Sequence, residues 1–236
     1  MKKFILPLLL LLAIGMLAAV ESPASDVVGY FKIAPETGIT PGSWTPFSIP
    51  FAYSSLAIND VVGTAFGDND YMEDLASGDN AYYFDPEWSG SLTDMNYGAA
   101  YWLVRDAANP ATTFYLLGTV DPQSIDFTIA GNGAWTPFAL NECKEVPLNG
   151  PVAGFLFPDA SDGDYIEDLM TGDNAYCWLP DGWDGSLTAI QPTHVYWYVS
   201  AAGSGEMLWT YDPADPYGSA KVRYNNVRKI NTQNRK

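Results

Sequence analysis

Asp70-Tyr71-Met72-Glu73-Asp74-Leu75, followed by Gly78-Asp79-Asn80-Ala81-Tyr82, returns later in the chain as Asp164-Tyr165-Ile166-Glu167-Asp168-Leu169 and Gly172-Asp173-Asn174-Ala175-Tyr176. The shift is 94 positions. Upstream, Trp44-Thr45-Pro46-Phe47 returns as Trp135-Thr136-Pro137-Phe138. Downstream, Trp88-x-Gly90-Ser91-Leu92-Thr93 returns as Trp183-x-Gly185-Ser186-Leu187-Thr188, and Tyr101-Trp102 as Tyr196-Trp197. Matched landmarks in a fixed order at a near-constant shift mean two copies of one unit of about 90 residues, the size of a domain and too long for a solenoid repeat.

Within each unit, short runs of aromatic and β-branched residues alternate with Gly- and Pro-bearing turns, which predicts many short strands. They fall at 27–33, 44–53, 80–84, 99–105 and 112–120 in the first copy. The second copy places them at 125–130, 135–143, 174–179, 194–200 and 206–211. Between the second and third strands, residues 59–65 and both Tyr-x-Glu-Asp-Leu segments are expected to form helical turns with an Asp or Asn N-cap. The expected fold is all-β: two tandem homologous modules, each a β-sandwich or a partly open barrel, behind a cleaved signal peptide. The divisions are a signal peptide at 1–25, modules at 26–121 and 122–216, and a basic tail at 217–236.

The leader is read from Lys2 and Lys3, the apolar run Phe4 to Val20, and the small residues Ala18 and Ala19. An uncut signal-anchor is the alternative, since the run approaches the length of a membrane span. No second run of that length follows, so the mature chain is expected to be exported, outside the cell or at its surface, without a membrane span. From Asp26 to Pro216 there are 27 acidic residues against Lys32, Arg105 and Lys144, a net charge of −24. Such a surface argues against nucleic acid, whose phosphates need cations. The tail reverses the sign, with Lys221, Arg223, Arg228, Lys229, Arg235 and Lys236 and no acid.

Cys143 falls at the position of Ala52 and Cys177 at that of Tyr83, so both cysteines are additions to one copy. In an exported chain that pattern suggests a Cys143–Cys177 disulfide filling a contact that the first copy fills with side chains. Two buried unpaired thiols are the alternative.

The run Trp44-Thr45-Pro46-Phe47-Ser48-Ile49-Pro50, then Trp88-x-Gly90-x-Leu92, then Gly98-x-x-Tyr101-Trp102, resembles a repeated β-rich module of large secreted and cell-surface bacterial proteins. That module carries W-x-x-I-S-x-P and G-x-x-Y-W strands, and Phe47 stands here for the Ile. The second copy departs from it at Ala139-Leu140-Asn141 and Pro192-Thr193. The resemblance implies a β-rich building block with no catalytic role.

Chemistry has two candidate locations. Asp70, Glu73, Asp74 and Asp79, with Asp162, Asp164, Glu167, Asp168 and Asp173, supply the oxygen ligands that calcium prefers. From Asp162, however, an EF-hand register puts Glu167 where Gly is needed and Asp173 where Glu belongs. The simpler expectation is a solvated acidic loop with capping Asp residues. Trp178 and Trp209 have no Trp counterpart in the first copy; exposed, they would stack on a sugar, and buried, they would fill space. Catalysis finds little footing. His194 is the sole histidine, its counterpart is Ala99, and no nucleophile elbow or phosphate loop is present.

The expectation is therefore a non-enzyme, a structural or adhesive tandem β-repeat protein of a bacterial surface or matrix. Its partners would be other surface or matrix proteins, or further copies held through the basic tail. The alternative is a carbohydrate-binding module assisted by calcium.

Overall fold

Tyr71–Asp74 alternates between two environments: Tyr71 and Glu73 are half-buried, while Met72 and Asp74 are buried. Tyr165–Asp168 repeats this, with Ile166 and Asp168 inside. A period of two is a strand in a sheet with one covered face. The acid-rich segments are therefore strands, which corrects the helical turns expected there. They were obscured because Asp74 and Asp168 sit at inward positions, where polar residues are seldom found.

The computed structural model describes residues 28–33, 41–51, 53, 56–63, 65–120, 124–150, 160–212 and 223–224. The first half contains β1 (Val28–Ile33), β2 (Trp44–Ser48), a single helical turn α1 (Ile58–Val61), β3 (Tyr71–Asp74), β4 (Asn80–Phe84), β5 (Glu87–Gly90), β6 (Ala100–Val104) and β7 (Phe114–Thr119). The second contains β8 (Ile125–Ile129), β9 (Trp135–Phe138), β10 (Val146–Pro147), β11 (Tyr165–Asp168), β12 (Asn174–Trp178), β13 (Gly182–Gly185), β14 (Ala189–Ile190), β15 (Tyr196–Val199), β16 (Met207–Tyr211) and β17 (Arg223–Tyr224). The chain is all-β, with several sheets and none closed into a barrel among the described residues. The expected signal segment lies outside the described residues, as does the basic tail apart from β17.

One five-stranded sheet runs β2-β6-β3-β4-β5 and the other β9-β15-β11-β12-β13, all pairs antiparallel. Position for position, the two orders correspond. Each sheet has one covered face. In the first half the β1–β7 ribbon contributes Ile33, Phe114 and Leu116 to a core with Phe47, Met72, Tyr83, Trp88 and Leu103. In the second, β8 and β16 contribute Ile129, Met207, Trp209 and Tyr211 to a core with Phe138, Ile166, Cys177, Trp183 and Tyr198. Among the described residues, no strand pairing joins the first set of strands to the second.

The halves also share hydrogen bonds at matched positions. Asn59 Oδ1 accepts from the Trp88 amide at 2.8 Å, and Asn149 Oδ1 from the Trp183 amide at 2.9 Å. The Asn96 amide donates to the Tyr101 hydroxyl, as the Gln191 amide does to that of Tyr196. Contact between the halves uses matched positions. Ala100, Ala139 and Val195 pack together with Leu75 and Leu169, and the Ser48 amide donates to the Thr193 carbonyl at 2.9 Å. Ala100 corresponds to Val195, Leu75 to Leu169 and Ser48 to Ala139, so each half presents the same patch to the other, the geometry of an isologous interface.

Gly90 and Gly185 show why the repeat retains Trp-x-Gly. A Cβ at Gly90 would lie 2.1 Å from the Asn80 carbonyl oxygen, and one at Gly185 2.1 Å from that of Asn174. Backbone this close cannot yield as a flexible side chain would. Gly90→Ala and Gly185→Ala are each expected to cost about 2 kcal/mol, measured by urea unfolding. Unchanged midpoints would contradict the pairing of β4 with β5 and of β12 with β13.

Candidate functional site

Two groups of side chains compete for a functional role: the carboxylates at the ends of the central strands, and the aromatic rings on the outer sheet faces. Their surroundings differ sharply.

Five of the carboxylates, Asp70, Asp74, Asp162, Asp164 and Asp168, are committed to backbone amides. Asp70 is fully buried. Its Oδ2 accepts from the Gly67 amide at 2.9 Å and the Arg105 guanidinium at 2.5 Å, and its Oδ1 from the Asp106 amide and Asn109 Nδ2, both at 2.8 Å. Asp164, its counterpart, meets the same need with other donors. Oδ2 accepts from the Ser161 amide at 2.7 Å and the Tyr198 hydroxyl at 2.5 Å, and Oδ1 from the Ala201 amide at 2.7 Å. At the other strand ends, Asp74 Oδ1 accepts from the Ala76 and Ser77 amides, and Asp168 Oδ1 from the Met170 amide. Asp168 Oδ2 lies 2.7 Å from His194 Nδ1. Asp162 Oδ1 accepts from the Leu179 amide at 2.9 Å. The Asp79 and Asp173 amides are held by Ser77 and Thr171 in tight turns. Glu73 and Glu167 point to the opposite face from Asp74 and Asp168. Among the described residues, no group of three or more acidic, His or Cys side chains is placed to hold a metal ion. The strand alternation separates the acids that the sequence brings together.

The cysteines are not bonded to each other. Cys143 packs against the first half's core, its thiol 3.7 Å from the Pro50 carbonyl, whereas Cys177 is buried in the second half's core. Different cores account for the absence of the expected disulfide. Burial raises both thiols. Cys177, beside Asp164 and Asp162, is pushed up to about 11.

The rings are arranged otherwise. On the outer face of the first sheet Trp44, Trp102, Tyr71, Tyr82 and Phe84 form an unbroken row, with successive partners Trp102–Trp44, Trp44–Tyr71, Tyr71–Tyr82 and Tyr82–Phe84 at 5.9, 6.2, 4.9 and 6.4 Å between ring centres. The second sheet repeats it with Trp197, Trp135, Tyr165, Tyr176 and Trp178 at 6.1, 6.0, 4.7 and 5.9 Å. Trp44 and Trp135 are 56% and 55% exposed, and Phe84 and Trp178 are 51% and 49% exposed. These are large apolar side chains left in solvent. Glu73 sits within the first row, opposite Trp102 and Asn80, and Glu167 within the second, opposite Trp197 and Asn174. Each accepts a hydrogen bond through Oε2, Glu73 from Tyr71 at 2.8 Å and Glu167 from Tyr165 at 2.9 Å. Partial burial in the row, then the bond to Glu167, push the Tyr165 hydroxyl up to about 12, and Tyr71 shifts in the same direction.

Of the two tryptophans singled out by sequence, Trp178 is exposed at the end of a row, while Trp209 is buried against Phe127. The counterpart of Trp178 is Phe84, so the feature belongs to both halves. Trp44 and Trp135, also matched between the halves, stand outside the cores. The signal was present in Asn80-Ala81-Tyr82-Tyr83-Phe84, where alternation separates Tyr82 and Phe84 from the buried Tyr83. An open cleft of ≈ 490 Å³ between Gly98 and Ala100 on one side and Phe127, Trp135 and Pro137 on the other has Asp126 and Tyr97 as its titratable groups.

Comparison with protein-family models, with curated proteins and with solved structures finds no match to this chain.

Asp70→Asn strands the buried Arg105 and is expected to cost about 3–5 kcal/mol. Asp164→Asn, whose donors are neutral, is expected to cost about 1–3 kcal/mol. Thermal and urea unfolding check the order, and equal losses would contradict the different partner sets. Both thiols are expected to resist iodoacetamide at about pH 8 in the folded protein and to react in urea, read by mass with and without reductant. A mass showing a Cys143–Cys177 bond would contradict the separation of the two cores.

Proposed function

We propose that this chain is a non-catalytic adhesive protein of a bacterial surface or matrix, built from two homologous β modules at 26–121 and 122–216. Its repeated aromatic rows are the surfaces that hold its partners. The observation carrying this reading is that the rows are exposed and yet matched in both halves. Buried positions match because packing demands it. Exposed Trp44 and Trp135, Tyr82 and Tyr176, and Phe84 and Trp178 face no such demand, and exposed aromatic patches mark contact surfaces. The identical strand orders support the division into modules. Export is supported by the Lys2-Lys3 pair and the apolar run after it. Among the described residues, no helix is long and apolar enough to cross a membrane. The partners on this reading are surface or matrix proteins, or further copies of the chain.

A second reading, glycan binding, is favoured by one observation. The Trp178 and Tyr176 rings lie within 24° of parallel at the exposed end of their row, and Phe84 and Tyr82 within 29°. Near-parallel rings present the flat apolar surface on which a pyranose face stacks, with Asn80, Asn174 and the Glu residues beside them for hydroxyl groups. Calcium has no comparable support, because Asp70, Asp74, Asp162, Asp164 and Asp168 are taken up by backbone amides and alternation turns Glu73 and Glu167 to the other face.

The test is retention of the purified mature chain on a panel of immobilised polysaccharides and matrix proteins, with calcium or with chelator. Retention on at least one surface is expected in both conditions. It should fall about tenfold or more when Tyr82, Phe84, Tyr176 and Trp178 are changed to Ala, the scale of losing a few exposed aromatic contacts. Retention that ignores those changes, or that occurs nowhere on the panel, would contradict the reading.

A further inference from the structure

We propose that the aromatic rows are docking faces for the end of the basic C-terminal segment, residues 225–236, of a second copy of this chain, so that copies associate head to tail. This rests on the reading of the rows as contact surfaces and names one partner for them.

Charge makes the first part of the case. Each row holds a carboxylate among its rings, Glu73 in one and Glu167 in the other, and the tyrosine hydroxyl beside it uses Oε2 alone. Glu87 stands opposite Phe84 and Asp184 opposite Tyr176. Of the cations among the described residues, Arg105 is buried on Asp70, Lys144 lies 4.0 Å from Glu142, and Lys32 on β1 and Arg223 on β17 belong to strands of the other layer. Segment 217–236 carries six cations and no acid, against a net −24 on the rest of the mature chain. The chain's own surplus of positive charge is therefore concentrated in that segment.

Ring chemistry makes the second part. Arg guanidinium and Lys ammonium groups bind the faces of Trp and Tyr within about 6 Å of the ring centre, and more strongly with a carboxylate nearby. A row of rings interrupted by Glu offers both at once. Length is adequate. Residues 225–236 span up to about 40 Å when extended, while a row crosses four strands, about 14 Å at ordinary strand spacing. The point of departure favours a second copy. Tyr224 pairs with Met207 in the ribbon layer, and the second row lies on the opposite face of the sheet that this ribbon covers. A neighbouring molecule presents its rows without that detour.

Sedimentation velocity on the full mature chain tests the proposal at about 20 mM and about 300 mM salt, where screening lengths differ several-fold. Association at low salt, lost at high salt, is expected. Arg228→Glu, Lys229→Glu, Arg235→Glu and Lys236→Glu together should weaken it about tenfold or more, and so should Tyr82, Phe84, Tyr176 and Trp178 changed to Ala. Mixing the tail-reversed chain with the row-truncated chain should restore a dimer, because one supplies an intact row and the other an intact tail. A synthetic peptide of residues 225–236 should dissociate the unaltered chain, a measurement that needs no variant to fold. A monomer at both salts, indifference to either set of changes, no dimer on mixing, or no effect of the peptide would each overturn the proposal. Retention of the tail-reversed chain on the panel of surfaces separates the two ideas. If retention persists while association is unaffected by the tail, the adhesive reading stands and this inference falls.

Discussion

A buried carboxylate must find donors or it destabilises everything around it. That requirement organises both halves of this protein. Asp70 and Asp164 are placed at one end of a central strand, Asp74 and Asp168 at the other, all on the covered side of their sheets. An unpaired charge there costs several kcal/mol. The donors that meet it are amides of neighbouring loops: Gly67 and Asp106 in one half, Ser161 and Ala201 in the other. By tying loops to strand ends, the carboxylates fix where β3 and β11 lie between their neighbours, and so fix the register that aligns Tyr71 with Tyr82 and Tyr165 with Tyr176. The outer rows inherit their geometry from this inner constraint.

The halves keep the requirement while changing the donors. Arg105 and Asn109 serve Asp70, whereas the Tyr198 hydroxyl serves Asp164 in place of a cation. His194 faces Asp168, but its counterpart at Asp74 is Ala99. Shape is thus retained as partners vary, which is the behaviour expected of groups that support a fold. A metal site would instead gather its ligands on one side, and alternation along the strands places Glu73 and Asp74 on opposite faces.

Much of the strand pattern was legible. The strand 80–84 was expected at the bounds it has, and the expected runs around Trp102 and Trp197 lie on the strands found there, because ordinary alternation of aromatic and small residues marks them. The central strands were not legible as strands. Tyr-Met-Glu-Asp hides its alternation when an inward position holds Asp, and the amides that make Asp tolerable there come from loops distant in sequence. The same error concealed the candidate site, since Tyr71 and Tyr165 join a row only if their segments are extended. The cysteines misled for a related reason: Cys143 lies after β9, where the chain has left the second sheet and reached the Pro50 carbonyl of the first half. Sequence alignment between copies gives matched positions but does not show which core a loop will enter.

The central claim is that the acid-rich segments hold the fold together and leave the outer rings to make contacts. Native-state hydrogen exchange at the amides of Gly67, Asp106, Ser161 and Ala201 tests it most directly. These amides are predicted to exchange as slowly as those in the central strands, because each is held by a buried carboxylate and opens only with the sheet. Exchange at the rate of exposed loop amides would show the carboxylates to be unengaged, and would contradict the account.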